Sequence, residues 1–178
     1  PLAGKVIINE ISANNPQSGD WLEIFNSSKE KVNMQGWILS DLKNEFVFPN
    51  VDIAPNDYLV VCEDMNKFYN AFPRAYNVVG GLNFGLNKHR EKVELFTSSG
   101  AVVDSVFYEL PPTDSTFTLS LLLPSLANSD LENWEVRYGE GSPNAPNPYF
   151  LTSSIRQRQK DWMQVGMAAG VVILCLVL

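Results

Sequence analysis

Short apolar runs rich in β-branched and aromatic residues recur along residues 1–138, and turn segments such as NNPQSG, APND and SSG separate them. In WLEIF and FTLSLLL, bulky apolar side chains alternate with a mixed set, which is typical of strands that bury one face. The pattern predicts nine strands, at residues 5–12, 20–26, 36–41, 45–49, 58–63, 92–97, 101–108, 117–123 and 133–138. Nine short strands at this spacing favour an all-β sandwich or barrel.

One segment has helical spacing instead. In DMNKFYNAF, residues 64–72, apolar side chains recur at intervals of three and four residues. Asp64 precedes them and is placed to cap the first turn. The pattern predicts a short helix packed over one end of the sandwich.

The C-terminal residues form a second kind of segment. From Trp162 to Leu178 the chain is apolar, and Gln164 is the only clearly polar side chain. A spanning helix needs about 20 apolar residues, with about 17 as the lower limit. We therefore predict a transmembrane helix at 162–178, truncated at the end of the chain, with a buried core helix as the alternative.

Particular residues support the membrane interpretation. Trp162 suits the membrane interface, and the preceding basic residues suit the headgroup region. Gly166, Gly170 and Leu174 lie within the predicted span, and the four-residue spacing of the two glycines would permit a homodimer of helices.

Prolines mark the boundary between the two parts. Pro143, Pro146 and Pro148 predict an extended exit from the domain, and Ser153 or Ser154 is placed to cap the helix that follows. The predicted organisation is a sandwich at 1–147, a proline-rich and basic juxtamembrane linker at 148–161, and the span.

Charge limits the function classes. The 178 residues carry 13 Lys and Arg against 20 Asp and Glu, a net charge of −7, which makes nucleic acid an unlikely partner. One His and two Cys exclude a structural zinc site built from these residues, and they exclude a disulfide scaffold.

The order of motifs along the body resembles the lamin tail domain, an immunoglobulin-like β-sandwich found in nuclear lamins and in many bacterial surface proteins. The ending TLSLLLP…NW is more similar to the bacterial branch. At the turn NKHRE (87–91) the family often has Gly-Asp, which this chain lacks. The resemblance covers about residues 5–147 and rests on VIINEI, DWLEIFNSS, VNMQGWILSD, FVFP, DYLVVCED, VVDSVFY, TLSLLLPSLANSDLENW and GSPNAPN.

The resemblance implies an all-β, immunoglobulin-like sandwich with no catalytic residues and no cofactor. Family members serve as binding, scaffolding or tethering modules. Under this interpretation Trp21, Trp37 and Trp134 are core-packing residues.

Few residues are candidates for chemistry. His89 has no nucleophile elbow near it, Cys62 lies inside an apolar run, and Asp64 begins only a fragment of a calcium loop. We therefore predict no catalytic or metal-binding residues. Exposed loops often carry recognition, so the turn with Lys88, His89 and Arg90 is the candidate partner-binding site.

These observations predict a non-catalytic, membrane-anchored module that binds or scaffolds a protein or cell-envelope partner. The alternative is an extracytoplasmic input domain of a larger membrane protein that continues beyond Leu178. The basic flank before the span favours a cytoplasmic location for the body, whereas the bacterial resemblance favours the periplasm or cell surface. We expect the body to lie in the periplasm or at the cell surface.

Overall fold

The computed structural model describes residues 4–177, with side chains for residues 4–163. The chain divides into two compact units, Pro1–Asn147 and Pro148–Leu178. The described part of the first unit is mostly β-sheet, with one α-helix and one turn of 3-10 helix, and the second unit is a single helix.

Twelve strands lie within the described residues of the first unit. They are β1 (Val6–Ser12), β2 (Trp21–Asn26), β3 (Val32–Asn33), β4 (Ile38–Ser40), β5 (Glu45–Val47), β6 (Asp52–Ile53), β7 (Asp57–Cys62), β8 (Val78–Gly80), β9 (Arg90–Phe96), β10 (Val102–Glu109), β11 (Phe117–Leu121) and β12 (Trp134–Tyr138). The helix α1 spans Met65–Ala71, and the 3-10 turn spans Leu131–Asn133.

The strands form two main sheets. One has six strands in the order β12-β11-β1-β2-β7-β8, and the other has four in the order β10-β9-β4-β5. Strands β3 and β6 form a separate pair, and only β8 among the paired strands runs parallel to its neighbour, β7. Because the two main sheets enclose the principal apolar core, the first unit is a β-sandwich.

The nine predicted strands are all present, which confirms the all-β prediction. Strands β3, β6 and β8 were missed. They contain two, two and three residues, too few to show a period of two along the sequence.

The principal core lies between the facing sides of the sheets. Leu22 and Ile24 of β2, Leu39 of β4 and Leu95 of β9 are fully buried there. A smaller apolar cluster lies on the opposite side of the six-stranded sheet, where Trp21, Val60 and Cys62 pack against Phe68 of α1. Every residue of β2 and β11 is buried, so the predicted burial of only one face is wrong for these two strands. Helix α1 covers the outer face around β2, and Glu10 lies against the outer face of β11.

The predicted short helix is confirmed. The Asp64 carboxylate accepts from the backbone N–H groups of Asn66 at 2.9 Å and Lys67 at 3.1 Å, as an N-cap should. Phe68 and Phe72 of this region approach the Trp21 ring at centroid distances of 5.9 and 5.8 Å. The helix thus covers the outer face of the six-stranded sheet.

The second unit corrects one prediction. Helix α2 runs from Pro148 to Val177, so residues 148–154 are helical and not an extended exit. A proline is well tolerated at the first helical position, because the N–H group that it lacks would have no partner within the helix.

No helix within the described residues is both long and apolar enough to cross a membrane. The side chain of Trp162 is exposed, whereas those of Gly166, Gly170 and Leu174 lie outside the described residues. The structure therefore does not support the span at 162–178 or a homodimer through the two glycines, and both stay predictions.

Candidate functional site

Two buried carboxylates occupy the outer face of the six-stranded sheet. Glu10 of β1 and Glu23 of β2 are register partners, so their side chains lie on the same face, and neither residue is exposed. The register between β1 and β2 shifts between Ile8 and Glu10, which identifies a bulge at Asn9.

Hydroxyl and amide donors surround Glu10. Its Oε1 accepts from Thr118 Oγ1 at 2.7 Å and Ser120 Oγ at 2.9 Å, both on β11. Its Oε2 accepts from the backbone N–H of Ser142 at 3.0 Å and from the Ser142 hydroxyl at 3.2 Å. Thr118, Ser120 and Ser142 lie 108, 110 and 132 residues after Glu10 in the sequence, so only the fold brings these donors to its carboxylate.

Glu23 is bound in a similar way. Its Oε1 accepts from Asn9 Nδ2 at 2.9 Å, and its Oε2 accepts from the backbone N–H of Asn144 at 2.5 Å. Burial raises the pKa of Glu10 above its usual range. Burial, and next the neighbouring charge of Glu10, raise the pKa of Glu23 well above its usual range. The pair therefore favours protonation in the folded state.

Residues 139–147, here called the closing segment, cover this pair. The amide of Asn147 donates to the backbone carbonyls of Asn9 and Leu121, each at 2.9 Å. Gly141 has φ +95°, and a Cβ there would lie 2.8 Å from Trp21 and 3.0 Å from Glu10 Oε1. The closing segment can approach the sheet this closely only because residue 141 has no side chain.

A second polar cluster joins the two sheets. Strand β11 pairs with β1 only from Glu10 to Ser12, so no strand partners Ile8 on that side. Asp104 Oδ2, from β10, accepts from the Ile8 N–H at 2.6 Å, and Asn128 Nδ2 donates to the Ile8 carbonyl at 2.6 Å. Two side chains thereby replace the backbone of a neighbouring strand.

The two side chains also bind each other. Asn128 Nδ2 donates to Asp104 Oδ2 at 2.7 Å, and the Asn128 backbone carbonyl accepts from Trp134 Nε1 at 3.0 Å. Asn128 Oδ1 is buried and has no hydrogen-bond partner among the described residues. Burial raises the pKa of Asp104 to about 6, although its hydrogen bonds act in the opposite direction.

A cavity of about 440 Å³ opens beside this cluster. We call it the Asp104 pocket. None of its lining residues carries a positive charge, whereas Asp104 carries a carboxylate and three others carry hydroxyl groups. The lining residues are Gly4, Ile7, Asp104, Ser105, Pro124, Ser125, Leu126, Ala127, Asn128 and Ser129. The pocket is therefore suited to a ligand that donates hydrogen bonds or carries positive charge.

The predicted partner-binding turn lies elsewhere, before and at the start of β9. Lys88 Nζ donates to the Ser115 carbonyl at 3.4 Å, and the backbone N–H of His89 donates to Asn87 Oδ1 at 2.8 Å. Arg90 lies 3.7 Å from a Glu109 carboxylate oxygen and stacks over the Phe107 ring at 5.5 Å. His89 and Arg90 are exposed and Lys88 is half-buried. Lys88 is already bound by the loop before β11, and Arg90 by side chains of β10.

The remaining candidates are buried. Trp21, Trp37 and Trp134 are 0%, 5% and 7% exposed, with Trp21 in the outer cluster and the other two in the principal core. Cys62 is a buried free cysteine, and burial raises the pKa of its thiol to about 11. In the described part of the chain, no three His, Cys, Asp or Glu side chains are arranged to hold a metal ion.

Sequence reasoning missed Asp104 and Asn128. The one available signal was a carboxylate inside the apolar run VVDSVFY, because a charged residue within a buried strand needs a specific partner. Nothing in the sequence places Asn128 beside it, since the two residues lie on different segments and meet only at β1.

The two main sheets packed around one apolar core define a β-sandwich domain, and its mostly β content is consistent with an immunoglobulin-like fold. The model of the Lamin Tail Domain family matches residues 1–109, and the chain belongs to this family. No curated protein matches the chain. The family is one of non-enzymatic, immunoglobulin-like modules. The resemblance predicted from the sequence is thus confirmed for the domain family, while the bacterial branch stays a prediction.

Proposed function

We propose that this chain is a non-catalytic binding module, held at a membrane by its C-terminal segment, which binds a protein or cell-envelope partner through the Asp104 pocket. The observation that carries the proposal is a carboxylate in a pocket whose lining includes no Lys, Arg or His. A partner that presents a primary ammonium group, such as a lysine side chain, would supply the missing positive charge.

The chemistry of Asp104 supports a cationic group over a metal ion. Asp104 Oδ2 already accepts two N–H groups, from Ile8 and from Asn128. A hard divalent cation needs several free oxygen ligands converging on one point. An ammonium group needs fewer, and the hydroxyl groups in the lining, those of Ser105, Ser125 and Ser129, are additional acceptors.

Binding is tested by titrating the ¹⁵N-labelled full chain in detergent micelles with a short lysine peptide. We expect chemical-shift changes at the Asn128 side-chain amide and at Ser125. The control peptide carries norleucine, which has a similar stem without the ammonium group. Equal changes with both peptides would contradict the proposal.

The matched variant is Asp104→Asn. Asparagine keeps one oxygen to accept from the Ile8 N–H while it removes the charge. We expect the variant to fold and to bind the lysine peptide at least about tenfold more weakly, because it loses one charge-assisted hydrogen bond to the ammonium group. Unchanged affinity would assign the binding to another surface.

The membrane part of the proposal rests on charge and hydropathy. The body is acidic, the segment before Trp162 is basic, and residues 162–178 are apolar. Carbonate extraction of membranes tests it: we expect the full chain to stay in the pellet and a chain ending at residue 161 to be released. Release of both would contradict anchoring.

The side of the membrane is tested separately. We propose that the body faces the periplasm or cell surface. Protease added to spheroplasts should then degrade residues 1–147 before lysis. A body that survives until lysis would place the domain inside.

A further inference from the structure

The geometry points to strand β12 as a self-association surface, and we infer that two copies of this chain pair antiparallel through it about a two-fold axis at Val136. The inference is independent of the proposed ligand. It would join the two six-stranded sheets into one continuous sheet across the dimer.

Within the part of the chain that the structure describes, strand β12 is an edge strand of the six-stranded sheet, with β11 as its one neighbour. The backbone bonds from Leu122 to Asn133 and from Gly139 to Thr116 fix which residues of β12 face β11. In an antiparallel pair such bonds recur at every second residue, so the backbone groups of Glu135 and Arg137 point toward β11. Those of Val136 and Tyr138 point to the open edge.

The other edges of the main sheets are blunted. Strands β5 and β8 have only three residues each, and β10 has an irregular register between Val102 and Asp104. Strand β12 has five residues in regular register, with no proline and no lysine. It therefore lacks three of the usual devices that prevent strand addition at an edge, namely a proline, a lysine and a bulge, and its two charged residues are of opposite sign.

The sequence of β12, WEVRY, is self-complementary about Val136. Two-fold pairing places Glu135 opposite Arg137 of the second copy, and Arg137 opposite Glu135. Because Val136 then forms a hydrogen-bonded pair with its counterpart, these charged residues form non-hydrogen-bonded pairs, in which side chains lie closest. Within each copy Arg137 already lies 3.1 Å from a Glu135 carboxylate oxygen. The pairing would therefore join the two intrachain ion pairs into one network of four alternating charges across the axis.

The other face of β12 would bury apolar surface in the same arrangement. Val136 is 39% exposed and Tyr138 is 74% exposed. Pairing brings Val136 against Val136 of the second copy and Tyr138 against its Trp134. Cross-strand pairs of aromatic and β-branched residues stabilise sheets, so both faces of the strand favour one register.

The outward-facing backbone groups of β12 would also form hydrogen bonds across the axis. The Trp134 N–H already donates to the Leu131 carbonyl. Val136 would exchange N–H···O bonds with its counterpart, and each Tyr138 N–H would donate to a Trp134 carbonyl. The pairing therefore provides four backbone hydrogen bonds without breaking any present in the chain.

Charge reversal tests the surface. The full chain is studied in detergent micelles, and the dimer fraction is measured against concentration by light scattering. Arg137→Glu places two like-charged pairs across the axis and should weaken association about tenfold or more, as should Glu135→Arg. The double variant Glu135→Arg, Arg137→Glu restores both pairs and should restore association. Thermal unfolding of each variant separates loss of folding from loss of pairing.

A cysteine placed on the axis tests the register. Hydrogen-bonded register partners lie about 5.5 Å apart at Cα, within reach of a disulfide. In a Cys175→Ser background, Val136→Cys should form a covalent dimer on mild oxidation. Tyr138→Cys is the control, since its two copies would lie about 14 Å apart along the strands.

The inference fails if the chain is monomeric, or if a dimer forms whose strength neither charge reversal changes. The second result would assign association to another surface, such as the glycines of the C-terminal segment. Cross-linking that is equal at residues 136 and 138 would also overturn the proposed register.

Discussion

Glu10 and Glu23 lie opposite each other on neighbouring antiparallel strands, and both are completely buried. The closing segment supplies backbone N–H groups from Ser142 and Asn144 as well as the Ser142 hydroxyl. Two carboxyl groups so placed repel each other when both are ionised. The strength with which the closing segment is held against the sheet should therefore depend on pH.

Stability should rise as the pH falls from 8 toward 5. Asp104 has a folded pKa of about 6 against an ordinary value of 3.8, so the folded state binds protons more tightly. The resulting stabilisation from Asp104, about 3 kcal/mol in full, is complete below the ordinary value and is lost as pH rises through 6, with about 1.4 kcal/mol of the loss falling between pH 5 and 8. The raised pKa values of Glu10 and Glu23 act in the same direction. Urea unfolding at a series of pH values measures this, and a flat profile would contradict it.

Glu10→Gln should raise the free energy of unfolding at pH 8 and change it little at pH 5. The glutamine oxygen can accept from the Ser142 N–H, while its amide can donate to the Thr118 and Ser120 hydroxyls, which rotate to accept. Glu10→Ala should cost about 2–4 kcal/mol at both pH values, because it leaves a cavity and unpaired donors.

The equivalent change at Glu23 is the comparison. Both of its oxygens accept from N–H groups, so Glu23→Gln must direct an amide hydrogen toward a donor. We expect Glu23→Gln to be less stable than Glu10→Gln at pH 8. If the two variants were equally stable, the donor arrangement around the pair would be wrong.

Gly141→Ala should loosen the closing segment. Its Cβ would meet Trp21 and Thr118 at 2.8 Å. Gly139→Ala is the matched control, because Gly139 also has positive φ but has no atom within 4 Å of the added carbon. We expect Gly141→Ala to cost about 2 kcal/mol more than the control. Limited proteolysis should cleave the closing segment faster in Gly141→Ala alone.

Asn128→Asp should destabilise the domain by about 3 kcal/mol at pH 8. The substitution removes the N–H donor to the Ile8 carbonyl, and it places a second carboxylate beside that of Asp104. The loss should shrink at pH 4–5, where a protonated carboxyl group can donate again. Asn128→Ala, which introduces no charge, should lose stability with a weaker pH dependence. Thermal unfolding at both pH values distinguishes the two variants.

The sequence by itself determined nine of the twelve strands in the described residues, the short helix and the family. Three local patterns carried this information: the alternation along β2 and β11, the turn residues between strands, and the helical spacing around Phe68. The periods of strand and helix follow from local backbone geometry, so they are visible in the sequence. Asp64 was readable as a cap because an N-cap acts within three residues of itself.

Only the tertiary structure decided which polar residues matter. Glu10 and Glu23 lie within two predicted strands, and their burial depends on a closing segment more than a hundred residues away. Asp104 and Asn128 meet because β11 pairs with β1 only from Glu10 to Ser12 and leaves the backbone of Ile8 to be bound by side chains. The free edge of β12 likewise depends on strand order. Hydrogen bonds between distant segments leave no period in a sequence, whereas a strand that buries one face does.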